Sequence, residues 1–282
     1  SVVERMEGFT ADCGKPSIHF FGHTHGYSRG QSRDHQHLWV NVATAGGNID
    51  YWGEYSQTDY EEFVVSQDEW GFVLLEANAG DAPAFRLRRV SHGNEDVARD
   101  NEVRDDLTVR RFNDGPTAPV GLSPGEGEEV SPDELLFVAN AFADPEGDAH
   151  QASQWQVADD CAGFDSPVAD LWKQDRNEYE GVDRASGDDL TDSMIDALDG
   201  GRGYCWRVRY RDAGLAWSEW SQAVSFTTVP SRWTDNLLRN PGAEDGIEHW
   251  SGGPIEALTD GECDGLDPHS GSRYFAVGGM CE

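Results

Sequence analysis

The sequence predicts a mainly β chain built from more than one module. Short apolar runs recur along its 282 residues, Gly- and Pro-rich turns separate them, and aromatic residues reach 11%. Runs of that length between such turns read as strands. Ten Trp and 32 Gly argue for a packed fold and against disorder despite the acidity.

Residues 1–10 read as the end of a helix, with Val2, Val3, Met6 and Phe9 on one face, broken by Gly-Lys-Pro at 14–16. A buried strand at 17–21 runs into Gly22-His23-Thr24-His25-Gly26. Further strands are expected at 38–44, 71–77 and 84–90. Residues 48–70 show no period and read as a long surface loop, and the charged stretch 93–115 as a linker. From Pro119 a second pattern starts, with strands at 135–139, 153–157, 204–210 and 223–228 and an acidic insertion over 159–199. That spacing suggests an immunoglobulin-like β-sandwich. A third start at Asn236 continues through Trp250 and 270–277. So short a module cannot bury a stable core alone, and it is expected to be truncated. The modules are placed at 1–112, 113–229 and 230–282.

The formal charge is −32, from 21 Lys and Arg against 53 Asp and Glu; −23 of it lies beyond Gly115. Such a surface repels phosphate backbones, so nucleic-acid binding is not expected. Lysine is confined to Lys15 and Lys173. An Asp-rich, Lys-poor surface suits a salty outside medium; a genome favouring Arg and Asp is the equal alternative. No apolar run is long enough to span a membrane. Any export signal is expected outside these residues. Of five cysteines, Cys161 with Cys205 and Cys263 with Cys281 are candidate disulfide pairs within single modules, which leaves Cys13 free or bonded to an absent part. An oxidising compartment, extracellular or periplasmic, follows.

The sharpest chemical signal is His23-Thr24-His25 between glycines, directly after a strand. In extended backbone, residues two apart face the same way at about 6.5–7 Å. Two imidazoles so placed chelate one metal or serve one ion each of a pair. Spacing alone leaves an incidental pair as the commoner case.

The run Gly22-His-Thr-His-Gly-Tyr-Ser-Arg29 resembles the last motif of the calcineurin-like metallophosphoesterases, closest to the purple acid phosphatase form Gly-His-x-His-x-Tyr-x-Arg. The resemblance covers roughly residues 1–112. It implies the C-terminal part of an α/β sandwich whose two-metal centre (Fe, Zn or Mn) hydrolyses phosphate esters through a metal-bound hydroxide. It places His23 on one metal and His25 on the other, with Tyr27 and Arg29 in support. The family's Asp-x-His, Gly-Asp-x-x-Asp and Gly-Asn-His motifs are absent upstream. Asp148-Ala149-His150, Gly187-Asp188 and Gly93-Asn94 are look-alikes on the wrong side. The chain is therefore expected to be an inactive, weakly metal-binding fragment of a phosphoesterase. A non-catalytic extracellular adhesion or glycan-binding protein is the alternative.

Other residues carry weaker signals. His19 reads as a core or supporting histidine, His35 and His37 as a solvated loop that reaches the site mouth only as the lesser reading, and Tyr51, Trp52 and Tyr55 as strand-edge packing or a substrate wall. Arg207, Arg209 and Arg211 alternate on one strand near Trp217-Ser-Glu-Trp-Ser221, a cation–π ladder that resembles fibronectin type III domains and reads mainly as stiffening. Asp144 and Asp148 sit on a Pro/Gly turn and are candidates for calcium. The segment 236–244 resembles the first strand of galactose-binding-like jelly rolls, which implies a structural calcium near Glu244 and Asp245 and contact with a glycan or cell surface.

Overall fold

The computed structural model describes residues 1–52, 54, 61–133, 135–179, 181–196, 198–230, 244–245 and 247–248, together with the backbone of 255–259 and 273–277. Two compact units emerge, Ser1–Pro230 and Ser231–Glu282.

The first unit opens with α1 (Val2–Cys13), the one α-helix among the described residues. Ser1 and Glu4 form a capping box at its start, and Gly14, at φ 56°, closes its end by donating to the Thr10 carbonyl. Thr10 is the residue this helix buries, whereas Val2 and Phe9 of the expected apolar face stay exposed. Strands β1 (Ser17–Phe21), β2 (Tyr27–Gln31), β3 (His37–Val42) and β4 (Phe63–Gln67) come next, then β5 (Trp70–Asn78), β6 (Ala84–Gly93) and β7 (Ala98–Arg110).

Two expectations for this stretch are corrected. Phe63–Gln67, inside the presumed loop 48–70, is a strand whose Val64 and Val65 are buried. The presumed linker 93–115 contains a thirteen-residue strand, β7. Its charges mislead because they have partners on neighbouring segments: Asp106 pairs with Arg86 across the β6–β7 ladder, and Arg99 with Glu69 just ahead of β5.

The remaining strands of the unit are β8 (Gly121–Ser123), β9 (Glu128–Val130), β10 (Leu135–Ala139), β11 (His150–Ala158), β12 (Ala169–Gln174), β13 (Glu178–Tyr179), β14 (Val182–Asp183), β15 (Asp192–Ile195), β16 (Gly203–Asp212) and β17 (Val224–Thr228). A three-stranded sheet β15-β10-β8 and a five-stranded sheet β12-β11-β16-β17-β9 share one core. There Trp155 stacks on Trp206, and Phe137 meets Trp206 and Phe226 edge-on. This is a β-sandwich, and with the other sheets it makes the chain mainly β.

The acidic insertion is not a separate excursion, because its strands enter three sheets. β12 extends the five-stranded sheet and β15 the three-stranded one, while β13 pairs parallel with β4. The resulting mixed sheet runs β1-β3-β2-β4-β13-β14. Cys161 and Cys205 form a disulfide that ties the ends of this insertion, 44 positions apart. Closing a loop of that length restricts the unfolded chain. The Cys161→Ser/Cys205→Ser variant is expected to lose about 2–4 kcal/mol, read as a lower urea midpoint; an unchanged midpoint would remove the bond from the stability account. Cys13 is exposed and free. Cys263 and Cys281 lie outside the described residues. In the second unit β18 (Ile255–Thr259) pairs antiparallel with β19 (Arg273–Val277).

Candidate functional site

β1 and β3 run parallel, and β2 returns antiparallel on the far side of β3. The loop 22–26 therefore emerges where β1 ends and β2 begins, beside the C-terminal ends of β3 and β4. Gly22 faces Ala43 at 3.3 Å from where a Cβ would stand, so a larger residue would crowd the segment just after β3. His23 adopts φ 111°, a backbone region that a residue carrying a side chain enters only under constraint.

Both imidazoles are exposed, and the backbone between them is pinned. Asn41 donates to the Thr24 carbonyl at 2.8 Å. The His25 amide donates to Asp50 Oδ2 at 2.8 Å, and the Asp50 amide returns a bond to the His25 carbonyl at 3.2 Å. Asp50 Oδ1 stands 3.9 Å from His25 Nδ1.

Tyr27 and Arg29, the later members of the motif, turn inward and are buried. They meet on Asp105 of β7, a residue that no local pattern in the sequence singles out. Tyr27 Oη donates to Asp105 Oδ2 at 2.7 Å; Arg29 grips both carboxylate oxygens, Nε at 2.6 Å and Nη2 at 3.1 Å. Arg176, from the sandwich insertion, adds Nη1 at 3.3 Å. Burial pushes the Asp105 carboxyl up, but Arg29, Tyr27 and Arg176 together outweigh it and hold the group below its usual value. Burial and Asp105 raise Tyr27 well above the ordinary phenol range. Gly30, next along β2, is required by sterics: an added Cβ would lie 2.0 Å from the Trp39 indole nitrogen.

His37 corrects the solvated-loop reading. It is fully buried on β3, its Nδ1 2.7 Å from Ser17 Oγ and its Nε2 3.1 Å from His19 Nδ1, with the two rings stacked. Ser17 in turn meets Thr10 of α1 at 2.6 Å. Burial, helped by His19, lowers His37 to about 4. His19 and His37 therefore join α1, β1 and β3 as neutral rings. Trp52 packs on Tyr179 at 4.5 Å and Tyr51 bonds Glu95; Tyr55 lies outside the described residues.

The Arg–Trp ladder forms. Arg207 lies between Phe164 and Trp220 at 4.1 and 4.0 Å, and Arg209 between Trp217 and Trp220 at 4.2 and 4.6 Å. Its inner rung does more than stiffen the strand. Arg211 is fully buried and donates to the carbonyls of Ser32 at 2.6 Å, His35 at 2.8 Å and Leu215 at 3.2 Å, while Trp217 Nε1 donates to Arg33 O at 2.6 Å. The sandwich thus holds the turn between β2 and β3.

Two of the candidate calcium carboxylates have partners within the protein, although Asp144 Oδ2 is buried without one. Asp144 Oδ1 accepts the amides of Glu146 and Asp148, and Asp148 pairs with Arg110. Glu244 and Asp245 lie in an exposed turn. Among the described residues no group of three or more His, Cys, Asp or Glu side chains is placed to hold a metal. Two imidazoles suit Zn, Fe or Mn, yet they do not by themselves fit a dimetal centre. This chain's own residues fix the backbone that carries the two histidines. No helix among the described residues is long and apolar enough to cross a membrane.

No protein-family model matches the chain, and no curated protein does. Among solved structures it is similar to the fibronectin(III)-like modules of Clostridium thermocellum CbhA, with 10% identity, TM-score 0.30, and coverage of 79% of this chain and 96% of that one. Similarity also extends to the FN1–FN3 domains of chicken CNTN1, with 9% identity, TM-score 0.28, and coverage of 90% and 76%. Likeness of this order leaves the fold to rest on the sheets described above: a mainly β chain that includes, among the described residues, a disulfide-tied sandwich.

Proposed function

We propose that the loop 22–26 is the two-histidine share of a metal-dependent phosphoesterase centre, and that the β-sandwich is its attached extracellular-type module. The observation that carries this is His23, held at φ 111° at the end of a strand parallel to its neighbour, with both imidazoles turned outward. Backbone strain of this kind persists where surrounding structure fixes it and concentrates at functional sites. Phe20 and Phe21, which lead into the loop on the edge strand β1, are exposed on both faces, in keeping with a centre completed by further protein. The disulfide favours an oxidising compartment. The substrate class is a phosphate ester, and the metals are two ions of the Fe, Zn or Mn kind.

A second reading, a non-catalytic adhesion or glycan-binding protein, is favoured by the missing third ligand among the described residues. One experiment separates the two. The coding region ahead of Ser1 is sequenced, and the longer chain is assayed on a phosphomonoester with and without chelator. The first reading expects Asp-x-His and Gly-Asp-x-x-Asp upstream, chelator-sensitive hydrolysis, and a loss of at least roughly 100-fold in His23→Ala/His25→Ala. Absent motifs, or hydrolysis unchanged in that variant, would leave the second reading standing.

A further inference from the structure

We propose that Arg176, supplied by the sandwich insertion, is a positioning residue for the histidine loop and acts through Asp105. The proposal deepens the metal-site reading and rests on it for its purpose, though not for its geometry.

Tyr27 directly follows the last residue of the loop, so whatever fixes the start of β2 fixes the exit of the loop. Asp105 does this by taking Tyr27 and Arg29 together. Asp105 is itself held from one further side. Arg176 donates Nη1 to Asp105 Oδ1, Nη2 to the Arg104 carbonyl at 3.1 Å, and Nε to Glu178 Oε2 at 3.1 Å. Glu178 then closes the network, its Oε1 accepting Gln67 Nε2 and Arg104 Nη2, both at 3.2 Å. Gln67 stands directly across from Tyr27 in the β2–β4 ladder. The insertion thus reaches Tyr27 by two routes, through Asp105 from behind and through Glu178 and Gln67 from the side. Alternating charges in this order, Arg29, Asp105, Arg176, Glu178, Arg104, leave each buried carboxylate with more than one donor.

The test uses the 282-residue chain. Arg176 is partly exposed, so Arg176→Ala is expected to fold. Amide exchange over residues 22–31 should become roughly tenfold faster, while β11 and β16 of the sandwich stay protected. Histidine ring resonances tracked during a Zn²⁺ titration should show roughly tenfold weaker binding at His23 and His25. Arg176→Lys, which keeps the charge beside Asp105, should recover part of both effects. Arg202→Ala, which removes an exposed pair with Asp199, should change neither. Unchanged exchange over 22–31, or a uniform rise across the unit, would overturn the proposal. If Zn²⁺ moves neither histidine in the unsubstituted chain, the exchange pattern alone decides whether Arg176 positions the loop, and the metal-site reading is left to the assay of the longer chain.

Discussion

Asp105→Asn is expected to lose about 3–5 kcal/mol of stability, because it leaves the buried Arg29 guanidinium without its counter-charge. Uncompensated buried charge costs far more than the pair contributes over an apolar substitute, so the expected effect is large even if the pair itself adds little. Against a typical native margin of about 5–15 kcal/mol, that fall corresponds to roughly 6–20 °C in melting temperature for a unit of this size. The pH dependence comes from the depressed carboxyl. A group held below its unfolded value contributes stability that is full above that value, near ~4 for Asp, and is lost as pH falls through the lower folded value. The gap between the two proteins should therefore be widest near neutrality and narrow as the pH drops below ~4. A melting temperature within about 2 °C of the unsubstituted chain at about pH 7 would show that Asp105 is not the hub its contacts describe.

Arg211→Met should be comparably damaging, by about 3–5 kcal/mol. Met fills much of the same volume, but the carbonyls of Ser32, His35 and Leu215 lose their donor inside the protein. Burial already pulls the guanidinium below the ordinary arginine range, with Asp212 opposing; three carbonyl acceptors keep the cation in place. The outer rung supplies the comparison. Arg207 bonds the Gln156 side chain and stacks on rings at the surface of the sheet, so Arg207→Met should cost about 1 kcal/mol or less. Urea titration of both variants checks this, and equal losses would mean that the ladder acts as one stiffening unit with no special role for its inner rung.

Apolar alternation makes many of the strands readable in the sequence: β1, β3, β5, β6, β10, β11, β16 and β17 all fall near expected positions. Strands that carry charge in place of apolar alternation, or whose partners are distant, stay hidden. β7 reads as a linker because charges fill most of it and mask Leu107 and Val109, the apolar residues that reach the core. β13 is two residues long and exists through β4. The same limit governs the site. His23 and His25 stand out by local spacing, and Tyr27 and Arg29 by motif order. Asp105, 76 positions from Arg29, lies in a stretch of four acidic residues among nine, 98–106, with nothing local to single it out. Arg176 is hidden for the same reason. His37 reads as solvated because its neighbours Asp34, His35 and Gln36 are polar, while the strand that buries it starts at His37 itself.

The pairing of β13 with β4 also sets an order of assembly. The Gln67–Glu178 contact joins positions 111 apart. At a synthesis rate of about 5–20 residues per second, β4 waits roughly 6–22 s on the ribosome for its neighbour. During that interval Val64 and Val65 sit on an unpaired strand edge, the kind of template on which nascent chains join one another. Deleting β13 would prolong that exposure indefinitely, so its first symptom should be insoluble protein during expression, ahead of any change in the histidine loop.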